Sequence, residues 1–200
     1  MEITIAITGA SGAIYPHRLL NLLVKEPSVS RINLVPSRAA LRVLNSELNI
    51  KSIRLNNLPE KLLKSNREKI LVLSDDDIGA KIASGSYPID AMIVVPCSMG
   101  TLGSIAHGIS RNLIQRAADV MLKERRKLVL IIRDTPFSLV HLENMRSVTL
   151  AGAVVFPAIP SFYHQSITIE GIVDQFLYRV MLYLGLSSDK AFRWLGDKEN

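Results

Sequence analysis

The chain has 200 residues, 48% of them hydrophobic and 21% charged, with one cysteine and a formal net charge of +6 at pH 7. That length fills one hydrophobic core and is too short for two, so a single domain over residues 1–200 is expected. The lone Cys97 excludes an intrachain disulfide and a multi-cysteine metal site, and it fits a reducing compartment.

The positive charge suits nucleic acid or a pocket for phosphorylated small molecules. The densest basic run, Lys123 to Lys127, contains Glu124 and lies at a helix end. No aromatic-plus-basic pattern of an RNA or single-strand binder accompanies it, so no nucleic-acid partner is expected.

In chain order, a strand-like segment begins at once, Ile3 to Thr8, with no charged leader and apolar signal region ahead of it. No later run approaches a membrane span, and a cytoplasmic protein without membrane partners is expected. A helical pattern covers Ala13 to Lys25, a strand Arg31 to Pro36 and a helix Arg38 to Leu48. The stretch from Asn49 to Ser84 is less regular, with a short strand at Ile70 to Leu73 and the triplet Asp75, Asp76, Asp77. Adjacent side chains do not converge on one ion, so the triplet reads as a solvated loop or helix start, and no metal site is expected.

Next come a strand from Ala91 to Pro96, one long helix from Thr101 to Arg125, a strand from Leu128 to Arg133 and a helix from about Ser138 to Leu150. Val154 to Phe156 then leads through Pro157, Pro160 and Phe162-Tyr163 into an apolar helix from about Ile169 to Leu184. Its stripe of Ile172, Phe176, Val180 and Leu184 suits core or subunit contact, and residues from about 169 to 200 are expected to serve oligomer contacts and site closure. Strands apolar on both faces, separated by helices, specify a doubly wound α/β fold: a mainly parallel sheet with helices on both faces, Rossmann- or flavodoxin-like.

Such sheets bind ligands beyond the carboxyl ends of their strands, where strand order reverses. Strand one ends in Gly9-Ala10-Ser11-Gly12, where glycine admits close backbone approach and the next helix offers N–H groups to an anion. The same turn is also a packing solution. It lacks the G-x-G-x-x-G spacing, and Pro36-Ser37-Arg38 offers no acid for an adenosine ribose, although Arg38 suits a ribose phosphate and leaves an NADP enzyme open. Neither Tyr-x-x-x-Lys nor G-x-x-x-x-G-K-[ST] occurs, against a short-chain dehydrogenase and a P-loop nucleotidase.

Cys97-Ser98-Met99-Gly100-Thr101 opens another helix with two hydroxyls and a glycine, while Cys97 itself reads as a small core thiol. Arg133-Asp134 places a guanidinium and a carboxylate at a further strand end, for a ligand or for a structural ion pair. Arg116 and Lys123, seven residues apart, share a helix face and could meet one anion, with Asp119 a turn from each; a surface ion-pair ladder accounts for them equally. These residues describe a binder of a phosphorylated planar ligand with a second, basic anion site, and they name no reaction.

Several segments carry a resemblance: Gly9 to Ala13 with Tyr15 and Arg18-Leu19-Leu20, Ser84-Gly85-Ser86, Pro96 to Leu102, Asn112-Leu113, Arg116 to Val120 and Leu122-Lys123-Glu124. Together with Arg133, Pro136, His141-Leu142, Asn144-Met145, Pro157, Pro160 and Phe162-Tyr163, they resemble the UbiX-like flavin prenyltransferases. The similarity runs over nearly the whole chain and is weakest from Asn49 to Leu73.

The resemblance implies an enzyme that joins a dimethylallyl group from dimethylallyl phosphate to N5 and C6 of reduced FMN, without a metal. The product, prenylated FMN, would go to a UbiD-like decarboxylase. By the same resemblance, Gly9, Ala10, Ser11, Ser37, Ser98, Met99, Gly100, Thr101 and Arg133 would hold FMN, and Arg116, Lys123, Tyr163 and Arg179 would hold the donor phosphate. Glu47 would sit near the substrate; with Lys123, Asp134, Tyr163 and Arg179 it completes the expected catalytic set. Asp134 stands where many relatives carry glutamate, one methylene longer, which puts a proton-relay role there in doubt. Trp194 lies in a tail expected to close over the site or simply to pack. The resemblance further implies a large homo-oligomer, a dodecamer, with sites shared between subunits.

Two rivals share the fold. An FMN-dependent cysteine-peptide decarboxylase would use a histidine near the first helix, a place His17 fills, but its loop carries an asparagine absent from Pro96 to Thr101. A noncatalytic FMN-binding protein would lack Arg116, Lys123 and Arg179, all of which are present.

Overall fold

Every described strand is parallel to its neighbours, in the order β3-β2-β1-β4-β5-β6. The computed structural model describes residues 1–162, 168–186 and 191–192. The strands are β1 (Glu2–Ile7), β2 (Arg31–Pro36), β3 (Ile70–Val72), β4 (Ala91–Cys97), β5 (Lys127–Ile132) and β6 (Val154–Pro157). Strand order reverses between β1 and β4, which sets the ligand crevice of a doubly wound sheet there.

β4 shows why the strands read as unbroken apolar runs. Ala91, Ile93 and Val95 point into one core layer and Met92 and Val94 into the other, all 0% exposed. The first layer is covered by α1 (Ile14–Leu23), α2 (Arg38–Glu47), α3 (Leu58–Leu62) and α7 (Ile169–Leu184). The second is covered by α4 (Met99–Ala106), α5 (Leu113–Lys123) and α6 (Leu139–Leu150).

One expected element is corrected. The single helix over Thr101 to Arg125 is two helices, because Gly108 takes a φ of +65° after α4 and the Asn112 side chain caps α5 by accepting from the Gln115 N–H at 2.9 Å.

α7 matches its expected span because both ends are marked. The Thr168 hydroxyl accepts from the Gly171 N–H, and Gly185 closes the helix at a φ of +87°. Its buried face, Val173, Phe176, Leu177, Val180, Met181 and Leu184, packs within the chain, leaving Ile169 and Tyr183 exposed. Arg18 of α1 grips Asp174 of α7 with two hydrogen bonds, one of 2.8 Å from Nε, and Tyr15 meets Phe176 edge-on at 5.5 Å. Among the described residues, no helix is long and apolar enough to cross a membrane, and no cluster of metal-ligating side chains occurs.

Candidate functional site

Four adjacent strands, β2, β1, β4 and β5, deliver loops to one rim of the sheet. These loops are stitched to one another beneath their exposed tips. Thr8 donates its N–H and hydroxyl to the Pro96 carbonyl, at 3.3 and 2.6 Å, and its hydroxyl oxygen accepts from the Ser98 N–H at 2.8 Å. The Ser37 N–H donates to the Ile7 carbonyl at 2.8 Å.

Ser37 and Ser98 then cap α2 and α4, accepting from the Ala40 and Thr101 N–H groups. A capped helix still has first-turn N–H groups without intrahelical partners, so each N-terminus keeps its pull on an anion. Gly100 faces open space, with no atom within 4 Å of an added Cβ. Gly9, by contrast, lies against α2 so closely that a Cβ would stand 2.6 Å from the Ala39 Cβ.

The N-terminus of α1 already holds an anion of this chain's own. Glu47, from the end of α2, accepts from the N–H groups of Gly12 at 2.9 Å and Ala13 at 2.8 Å. Partial burial pushes its carboxyl pKa up, but these two N–H groups, the Ser11 hydroxyl and the Arg133 guanidinium together outweigh that, and the pKa lies below the ordinary glutamate value. Arg133 Nε in turn donates to the Ser11 carbonyl at 2.9 Å. Gly9, Ala10, Ser11, Ser37, Glu47, Ser98, Met99, Gly100, Thr101 and Arg133 therefore gather at one rim. Asp134 stands at the same rim but turns its Oδ1 onto its neighbour's Thr135 N–H at 2.9 Å.

Cys97 is fully buried, and burial pushes its thiol up to about 12, so it stays protonated and unreactive. His17 sits half-buried on α1 with its pKa drawn down by burial, against the opposing pull of a hydrogen bond with the Leu62 backbone.

The basic residues expected to share one phosphate are not together within the chain. Arg116 donates to the Ala83 carbonyl at 3.1 Å and to Asp119 at 2.8 Å, whereas Lys123 pairs with Glu124 at 2.5 Å rather than with Asp119. Lys123 ends α5, four residues before β5 begins at Lys127, which puts it at the opposite, amino rim of the sheet. Gly85, in the turn from Ser84 to Tyr87, lies against it.

Arg179 is on α7, across the sheet from α5, exposed and without a hydrogen bond or ion pair among the described residues. It lines a cleft of about 710 Å³ with Phe156, Ser161, Phe176, Leu182 and Phe192. Tyr163 and Trp194 lie outside the described residues.

What the sequence reading missed is the neighbourhood of the basic set. The Ser84 to Ser86 turn was visible as a motif, but only the folded chain brings it onto Lys123.

The sequence pattern of the family described as Flavoprotein matches residues 1–179. A protein named flavin prenyltransferase UbiX from Pseudomonas aeruginosa is 43% identical over 197 residues, covering 96% of this chain and 93% of the relative. A crystal structure of AnUbiX in complex with FMN and dimethylallyl pyrophosphate is 39% identical, covers 98% of each chain and superposes with a TM-score of 0.86. A dodecameric FMN-dependent UbiX-like decarboxylase from Escherichia coli O157:H7 is 37% identical, with a TM-score of 0.87 over 98% of this chain and all of its own.

Proposed function

The chain belongs to the Flavoprotein family, and from that premise we propose that it is a flavin prenyltransferase. It transfers a dimethylallyl group from dimethylallyl phosphate to N5 and C6 of reduced FMN. The observation that carries this is the full-length 39% identity with a chain crystallised with both FMN and dimethylallyl pyrophosphate.

The carboxyl rim fits FMN, since it offers the Ser11, Ser37, Ser98 and Thr101 hydroxyls, the Arg133 guanidinium and a backbone open at Gly100. Gly9, Ala10 and Met99 add main-chain atoms to that cradle. When bound, reduced FMN supplies two nucleophilic positions and a π-face that shelters an allylic cation.

The chain's own residues deal with charge and protons. When the allylic C–O bond breaks, the electron pair leaves with the phosphate, and Lys123, Arg116, Arg179 and the Tyr163 hydroxyl stabilise that departing anion. Glu47 is ionised at neutral pH and is therefore suited to accept a proton at its carboxylate rather than to give one. Asp134 is a second carboxylate at the rim, shorter in reach and already engaged with Thr135.

A site that uses both Lys123 and Arg179 needs two copies of the chain, because the sheet lies between them in one copy. The exposed row of Phe137, Leu139, Val140, Leu142 and Leu150 on and before α6 is apolar surface that such copies would bury. We therefore read the protein as a homo-oligomer, a dodecamer like its relative. It acts in the cytoplasm, and its product passes to a UbiD-like decarboxylase.

The test is anaerobic incubation with reduced FMN and either dimethylallyl phosphate or the pyrophosphate, followed by mass spectrometry. A flavin heavier by one C5 unit is expected; no adduct from either donor refutes the reading.

A further inference from the structure

The amino rim contains a clamp that none of the roles above uses. α5 ends by reversing on Arg125, which has a φ of +56°; the Arg125 N–H donates to Leu122 at 3.1 Å and the Arg126 N–H to Met121 at 2.9 Å. This is the hydrogen-bond pattern of a helix closed by a left-handed residue, a position that glycine usually fills.

The reversal lays Arg126 over the turn from Ser84 to Tyr87. Its guanidinium donates to the Tyr87 carbonyl at 2.8 Å and to the Gly85 carbonyl at 2.7 Å. The turn is closed by the Tyr87 N–H on the Ser84 carbonyl at 3.2 Å, and the Ser84 and Ser86 hydroxyls bond each other at 2.8 Å.

Gly85 lies against the end of α5. A Cβ there would stand 2.2 Å from Glu124 Oε1 and 2.6 Å from Lys123 Nζ. A trans peptide sets its C=O and N–H on opposite sides. With the Gly85 carbonyl aimed at Arg126, the Ser86 N–H of the same peptide is turned away from the clamp.

We propose that Arg126 is a positioning residue for the prenyl donor: through the Gly85 carbonyl it holds the Ser84–Tyr87 turn against the Lys123–Glu124 pair and so fixes where the Lys123 ammonium stands. The proposal rests on the reading that Lys123 meets the donor phosphate. Arg126 touches no substrate itself. Lysine cannot replace it, because the two carbonyls need the spread donors of a planar guanidinium.

Steady-state prenyl transfer, FMN affinity and Tm are measured for Arg126→Gln, Arg126→Lys and Gly85→Ala beside the unaltered protein. Arg126→Gln is expected to raise KM for dimethylallyl phosphate about tenfold with the FMN Kd within about twofold, in line with losing hydrogen bonds from a charged donor. Arg126→Lys recovers only part of that loss.

Gly85→Ala keeps Arg126 but pushes aside two flexible side-chain ends, so it raises the same KM while the fold survives. An unchanged KM in Arg126→Gln or in Gly85→Ala overturns the proposal. So does a KM that moves only together with the FMN Kd and Tm. If the unaltered protein makes no C5 adduct, the prenyltransferase reading fails instead.

Discussion

At the carboxyl rim, the groups that attract an anion are largely main-chain: the openings of α1, α2 and α4, two of them capped by serines, with Arg133 as the added cation. Towards the amino rim they are side chains of one helix, Arg116 in the first turn of α5 and Lys123 at its end, each already paired with a carboxylate of its own chain. Main-chain donors are fixed by the fold and favour a ligand that stays. Paired side chains can exchange one anion for another, which suits a phosphate that must arrive and leave.

Lys123→Ala should separate the rims most sharply. Prenyl transfer is expected to fall at least about 100-fold while FMN binding changes by less than about twofold; steady-state rates and a flavin titration decide it. If sites are shared, subunits carrying Lys123→Ala and subunits carrying Arg179→Ala, co-assembled at random, should recover about a quarter of the unaltered rate, because half the subunits supply each intact side chain. No recovery would mean that each chain works alone.

Between the rims, Thr4 is buried in β1 and its Oγ1 is the one buried side-chain polar atom left without a partner among the described residues. Thr4→Val should raise Tm by about 2–6 °C in a thermal melt with no change in either KM.

Glu47→Gln tests the carboxyl rim alone. Its folded-state pKa is depressed, so its contribution is present above the ordinary glutamate value and is lost as pH falls through the folded one. The variant should melt about 1–3 °C lower at pH 7, and the gap should close on acidification below about pH 4. An effect of the same small size belongs to the amino rim: Arg125→Gly relieves a left-handed residue and should raise Tm by about 1–3 °C without altering donor KM.

The two rims also differed in how far the sequence disclosed them. The carboxyl rim follows from local signals, since strands that run into Gly9, Ser37 and Ser98 announce loops and helix caps at known places. The bounds of β2 and α7 were legible for the same reason. The break between α4 and α5 had its signals too, in Gly108 and Asn112, but the apolar periodicity on either side masked them.

Glu47 reaching Gly12 and Ala13 is a contact between segments 35 and 34 residues apart, set only when α2 packs beside the β1 loop. Periodicity shows that α5 and α7 each have a buried face, but not which side of the sheet each one covers. The separation of Lys123 from Arg179 was therefore invisible until the fold was known.

The contact between Gly9 and Ala39 has a consequence for anyone rewriting this sequence. With 2.6 Å between the Ala39 methyl and the place a new methyl would take, positions 9 and 39 amount to one choice rather than two. A library that varies either site alone would return glycine and small residues only. A double library should find its tolerated larger residue at position 9 only alongside glycine at position 39.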